Sequence, residues 1–181
     1  MILTGTAIAA ARAKGEITIE PFSADQIGPN SYDFRLGRRC KTYRNVELDA
    51  AEDNPTDDII ADSSGILLQP GRVYLFNTEE IIGSSHFVPI IRGRSSVGRL
   101  GLFINITADL IDIGSRNQLT LQLTAMQPVR VYPGMRIGQV TFWCVEGEID
   151  HYRGMYQDLQ SPSSSQSFRQ FDLDAKARIE K

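Results

Sequence analysis

Apolar residues recur along this chain with two different periods. Residues 5–14 are rich in alanine, follow a capping Thr4 and precede Gly15, so a short helix is predicted there with a left-handed exit at the glycine. Beyond it the period drops to two. Ile17 and Ile19 alternate with polar neighbours, as do Tyr32, Phe34 and Leu36, which is the spacing of half-buried strands. Residues 73–76 are apolar throughout and predict a strand covered on both faces. Further short strands are predicted over 87–91, 102–107, 119–123, 129–131 and 137–145, with punctuation such as Gln69-Pro70-Gly71 and Tyr132-Pro133-Gly134. Many short strands joined by tight turns imply an all-β fold: a sandwich, jelly roll or barrel.

Two stretches interrupt this rhythm. Residues 47–62 carry seven acids (Glu47, Asp49, Glu52, Asp53, Asp57, Asp58, Asp62) and no Lys or Arg. Their spacing matches no metal-binding loop, so a solvated loop is expected. Residues 160–167, Gln-Ser-Pro-Ser-Ser-Ser-Gln-Ser, are too polar to form a core and are expected to be disordered. With 181 residues, 41% hydrophobic and 23% charged, the chain can bury one substantial core and fits one domain.

Charge narrows the partners. Nineteen Lys and Arg against 22 Asp and Glu leave a net charge of −3, without a dense basic stripe, so polymeric DNA or RNA is not an expected partner. No apolar run reaches the roughly 18 residues of a membrane span, and Met1-Ile2-Leu3-Thr4-Gly5 lacks a charged stretch ahead of an apolar one. A cytoplasmic protein without a membrane partner is expected. Cys40 and Cys144 are isolated, so neither a disulfide framework nor a zinc site is implied. Arg35, Arg38, Arg39, Lys41 and Arg44 form a basic cluster that reads either as a solvated strand face or as a patch steering a nucleotide.

The richest chemistry lies in Arg92-Gly93-Arg94-Ser95-Ser96-Val97-Gly98-Arg99-Leu100-Gly101-Leu102. Free N–H groups at one helical turn, two hydroxyls and several guanidinium groups would hold an anion such as phosphate. The same residues are also compatible with a serine that merely caps the turn. In residues 119–124 the three leucines take one face of the strand, so Thr120, Gln122 and Thr124 face polar space.

These residues carry a resemblance. The run from Gly93 to Leu102, with Ile2-Leu3, Ile27-Gly28-Pro29-Asn30-Ser31-Tyr32-Asp33-Phe34 before it, is followed by Thr107-Ala108, Ile111-Asp112-Ile113-Gly114, Gln118-Leu119-Thr120-Leu121 and Gly134-Met135-Arg136-Ile137-Gly138-Gln139. In order and spacing this resembles the dCTP deaminase branch of the dUTPase-related superfamily, from Met1 to about Gln160. The resemblance implies a mainly-β, distorted jelly-roll barrel with a short N-terminal helix, assembled as a homotrimer with nucleotide sites between subunits. Residues 1–155 would form the barrel and residues 156–181 a flexible tail that closes over the ligand as a lid. It implies an enzyme acting on a deoxycytidine or deoxyuridine nucleotide, with Mg²⁺ accompanying the triphosphate and no metal held by the protein. Zinc chemistry of the other deaminase kind lacks its motifs, since His86 is followed by Phe87-Val88 and the cysteines stand alone.

Carried over by position, Arg94, Ser95, Ser96 and Arg99 would hold the triphosphate and order the catalytic water, and Thr107 and Ala108 would offer backbone groups to the base. Asp112 stands where a water-activating carboxylate is found in dUTPases and bifunctional deaminases; a turn aspartate before Gly114 is its plainer reading. Tyr156 falls on a tail tyrosine. Gln122 occupies the position of the catalytic glutamate. Deamination must move protons from water to the ring and to departing ammonia, and an amide has no titratable proton for that. Ser115 replaces an aromatic residue, Arg116-Asn117 lacks a glycine, and Met155 stands where a lysine is common. Three activities are therefore expected as alternatives: a divergent dCTP deaminase, a dUTPase-type pyrophosphatase using Asp112, and a catalytically impaired nucleotide-binding homologue with a regulatory or specialised role.

Overall fold

The computed structural model describes residues 1–105 and 108–171. Helix α1 (Gly5–Ala13) begins where Thr4 Oγ1 accepts the Ala7 N–H at 3.4 Å, and ends before Gly15 at φ +77°. It buries Ile8 and Ala11 and leads into strand β1 (Ile17–Glu20). The main sheet runs β6 (Phe87–Gly93), β10 (Arg136–Cys144), β2 (Tyr32–Tyr43), β5 (Tyr74–Ser84), β8 (Arg116–Ala125), β7 (Leu102–Phe103), with β1 added to β5 and β3 (Thr56–Ile60) to β2. Every pairing is antiparallel. A separate ribbon joins β4 (Ile66–Leu68) to β9 (Val129–Val131). The free edge of β6 is covered by residues 109–111, where Ile91 donates to the Asp109 carbonyl at 2.8 Å and Ile111 to that of Pro89 at 2.9 Å. The sheet therefore curls into a nearly closed barrel around Phe34, Leu36, Phe76, Leu121, Ile137, Val140 and Phe142, all fully buried.

Curling demands that the long strands bend. The β2–β5 register shifts between Leu36 and Cys40, and the β5–β8 register between Asn77 and Ile81. A shift of this kind leaves ladder N–H groups without their carbonyls, and a buried unpaired donor is costly. Three buried side chains of β5 take over. Asn77 Oδ1 accepts from Arg39 N–H at 3.1 Å, Thr78 Oγ1 from Leu119 N–H at 2.9 Å, and Glu80 Oε2 from Arg35 N–H at 2.8 Å. The second Glu80 oxygen accepts from Arg35 Nε at 2.7 Å and Gln26 Nε2 at 3.0 Å, so the buried carboxylate is fully engaged. Gly37 faces this knot: a Cβ there would lie 2.5 Å from the Asn77 side chain.

Several expectations change. The acidic stretch is not wholly a loop, because residues 56–60 form β3. Its carboxylates are matched across the ladder, Asp58 with Lys41 Nζ and Asp57 with Arg44 Nε, each at 2.7 Å. Opposite charges brought together across the strand pair, directly facing for Lys41 and Asp58 and diagonal for Arg44 and Asp57, supply what the sequence-local view lacked. Three members of the basic cluster, Arg35, Lys41 and Arg44, are thereby bound to carboxylates. The strand predicted over 102–107 stops at Phe103. Strands β2, β5 and β8 extend beyond their apolar stretches, since barrel strands continue through polar positions once their backbones are paired. Among the described residues no helix is long and apolar enough to cross a membrane.

Removing the β5 carboxylate tests the knot. Glu80→Ala strands the Arg35 and Gln26 donors and is expected to cost on the order of 3 kcal/mol in urea unfolding, with Glu80→Gln costing less. Wild-type stability in Glu80→Ala would show that the bend does not need it. The thiols give a second check: burial pushes Cys40 up to about 12, whereas Cys144 is exposed. At pH 7 and 8 the native protein should therefore present one thiol to an alkylating reagent and two after unfolding. Two reactive thiols in the native state would contradict the packing of β2.

Candidate functional site

Strand β8 alternates between a buried and a half-buried face along its length. Leu119, Leu121 and Leu123 enter the core, and Thr120 and Gln122 emerge into a cavity of about 400 Å³. That volume is in the range of small-ligand sites. The far wall is the segment that returns from β7 to β6, contributing Asn105, Ala108, Leu110, Ile111 and Asp112. Tyr43, Tyr152, Tyr156 and the tail residues Leu159, Ser163, Ser164 and Ser165 close the rim.

Of the residues singled out from sequence, Gln122, Asp112, Ala108 and Tyr156 meet in this one cavity. Thr107 lies outside the described residues. Asp112 is the one carboxylate among the described lining residues, and none of them is Lys, Arg or His. Its main-chain carbonyl accepts the Ser115 N–H at 3.1 Å, the turn role anticipated from sequence, while its exposed side chain has no partner among the described residues. Among the described residues Gln122 Nε2 reaches only the Thr120 carbonyl, at a long 3.5 Å, so there most of its hydrogen-bonding capacity is open to the cavity.

Arg94, Ser95, Ser96 and Arg99 sit elsewhere, on the one-turn helix α2 (Ser95–Gly98), and do not line the cavity. Val97 is the buried anchor of this turn. Arg94 occupies the cap position and no side chain closes the turn, so the exposed serine hydroxyls are not spent on capping. Arg94 is oriented by Asp33, Nε to Oδ2 at 3.4 Å, and Asp33 Oδ1 also accepts from Gln139 Nε2 at 3.0 Å. Asp33 and Gln139 face each other across the β2–β10 ladder. The barrel wall thus fixes the first guanidinium of the turn.

The tail runs along the cavity rim instead of away from it. Leu159 donates to Asn117 Oδ1 at 2.6 Å, and its carbonyl accepts the Gln118 N–H at 2.8 Å. Ser163 donates its N–H to Thr120 Oγ1 at 3.1 Å, Ser165 to the Tyr43 hydroxyl at 3.1 Å, and Gln166 to the Tyr156 hydroxyl at 2.9 Å. The Asp112 turn is gripped from the same side, Tyr152 N–H donating to the Ile113 carbonyl at 2.7 Å and Gln157 Nε2 to that of Gly114 at 2.9 Å. Asn117 extends this hold by donating from Nδ2 to Ser115 Oγ at 2.8 Å. Sequence reading missed Asn105, Tyr43 and Tyr152 as site residues, whereas Ser115 and Asn117, singled out as departures from the family pattern, do line the cavity. Thr120 carried a signal, being on the polar face of its strand with Gln122; the others meet only through the fold.

Known proteins match this arrangement over most of its length. Residues 2–145 fit the family model described as dCTP deaminase-like. The chain is 42% identical over 173 residues to a protein of Hathewaya histolytica named dCTP deaminase, dUMP-forming, a match that covers 95% of this chain and 100% of that one. A protein of the same name from Cytophaga hutchinsonii is 38% identical over 173 residues, covering 95% of this chain and 99% of its own. The crystal structure of 2'-deoxycytidine 5'-triphosphate deaminase from Agrobacterium tumefaciens aligns with a TM-score of 0.63 and 25% identity over 78% of this chain, which spans about half (47%) of that one. On the strength of the matched domain and of relatives similar end to end, this chain belongs to the dCTP deaminase-like family.

Proposed function

We propose that this chain binds a deoxycytidine or deoxyuridine triphosphate in the β8 cavity and hydrolyses it at the α-phosphate, with deamination slowed by Gln122. One observation carries this reading: the cavity joins a carboxylate without a partner among the described residues, Asp112, to an amide at Gln122. Asp112 takes a proton from the water that attacks the α-phosphorus. The bond from that phosphorus to the bridging oxygen breaks, and nucleoside monophosphate and pyrophosphate leave. Gln122 both donates and accepts, so it can hold either pyrimidine edge without shuttling a proton. The relatives' names support two chemistries in one family, since making dUMP from dCTP removes both an amine and pyrophosphate.

The triphosphate needs cations that the described lining lacks. Arg94, Ser95, Ser96 and Arg99 of a second copy supply them in a homotrimer; the exposure of Ser95, Ser96 and Arg99 and the separation of all four from the cavity support this. Mg²⁺ would be carried by the triphosphate oxygens, which leaves Asp112 to act as the base. That ion would neutralise phosphate charge. The tail then acts as a lid, with Leu159 held at Asn117 as its inner fastening.

Turnover and subunit-mixing measurements decide this. With dCTP or dUTP and Mg²⁺, Asp112→Asn should lower pyrophosphate release by about 10²–10⁴, the usual worth of a general base. Gln122→Glu should raise ammonia release from dCTP at least about tenfold. Robust wild-type ammonia release would favour an ordinary deaminase, and nucleotide binding without any turnover in either protein would favour an impaired, regulatory homologue. Mixing Asp112→Asn with Arg99→Ala chains, each inactive alone, should restore part of the activity if sites are shared between copies. No recovery, together with a monomeric mass by light scattering, would place α2 and the cavity in separate roles.

A further inference from the structure

The β7–β8 ladder ends abruptly at the mouth of the cavity. Leu102 pairs with Ala125 and Phe103 with Thr124, and one residue earlier Gly101 accepts the Met126 N–H at 2.9 Å. In an antiparallel ladder the hydrogen-bonded pairs recur every second residue. Continued in this register, the carbonyl of residue 105 would accept the Gln122 N–H and strand β7 would zip over the cavity. It does not. The Gln122 N–H is taken instead by the side-chain carbonyl of Asn105, at 3.3 Å, and the Asn105 Nδ2 donates to the Ala108 carbonyl at 2.9 Å. One amide thus closes the ladder bond in place of the main chain and pins the returning loop at its other end. Only this orientation of the amide gives each end a partner.

We infer that Asn105 is a positioning residue that holds the cavity open by capping the end of the β7–β8 ladder. Displacing the main chain by the length of a side chain creates the gap into which Gln122 and Ala108 face. Other residues at this position would do differently. A β-branched residue such as valine has no acceptor for the Gln122 N–H and favours the extended pairing, so the main chain would close in. Aspartate retains the acceptor but loses the donor to Ala108. This role deepens the reading of the cavity as a nucleotide pocket, and a ligand-free measurement separates the two.

The test compares wild type, Asn105→Val and Asn105→Asp by amide hydrogen exchange without ligand and by calorimetric binding of dCTP and dUTP. In Asn105→Val the residue 105 amide should become protected, its N–H now bonded to the Gln122 carbonyl. Both nucleotides should bind at least about tenfold more weakly, the worth of one well-made hydrogen bond. In Asn105→Asp that amide should exchange as in wild type, with a smaller loss of affinity. An Asn105→Val protein that exchanges and binds as wild type overturns the inference, as does protection of the residue 105 amide in Asn105→Asp. If Asn105→Val does not fold, the aspartate variant carries the test alone. If wild type binds neither nucleotide, the nucleotide reading fails while the exchange results still decide the role of Asn105.

Discussion

Everything about this site depends on how β5 bends. A barrel this small cannot keep its longest strands in one register, and the slips of β5 against β2 and against β8 expose main-chain donors in the interior. Asn77, Thr78 and Glu80 accept those donors. The same knot reaches the functional wall, because Thr78 holds the Leu119 N–H and Asn77 Nδ2 donates to Gln118 Oε1 at 3.2 Å. Gln118 and Leu119 directly precede Thr120 and Gln122. The face that β8 offers to the cavity is set by a buried polar cluster on its neighbour, where a fully satisfied network is rigid and a half-satisfied one is costly.

Two more places in the fold work in the same way. At the mouth of the cavity Asn105 ends a ladder with its side chain, and along the rim Asn117 receives the backbone of the tail. Short amides recur where the chain must leave regular pairing without losing a hydrogen bond. Charge is kept apart from this scheme. The described cavity lining carries one carboxylate and no cationic side chain, whereas guanidinium groups and exposed hydroxyls gather on α2.

Much of this was legible in the sequence, and the limits have physical causes. Period-two alternation located β1, the start of β2, and β8, including the face on which Gln122 emerges. The alanine run and Thr4 located α1. The strand at 56–60 was not legible, because its stability comes from Lys41 and Arg44 across the ladder and not from its own acidic residues. Nor was the end of β7, since 102–107 reads as strand until Asn105 is seen to face Gln122. Family resemblance gathered Asp112, Gln122, Ala108 and Tyr156, and the fold brings these four together. Asn117 and Tyr43 belong to the site through contacts with residues 42 and 122 positions away, a separation that no local pattern encodes.

The tail's attachment has a consequence for how the sequence can change. At Leu159, Ser163, Ser165 and Gln166 the strap contributes its main-chain groups, while the acceptors are side chains of Asn117, Thr120, Tyr43 and Tyr156. A main-chain donor is offered by every residue except proline. The strap can therefore drift widely in sequence and remain fastened, provided that the four anchors and the spacing between its contacts stay fixed. The requirement falls on the four docking side chains, one of which, Tyr156, belongs to the tail itself, and leaves the residues from Leu159 onward freer to vary while the same bonds hold the strap.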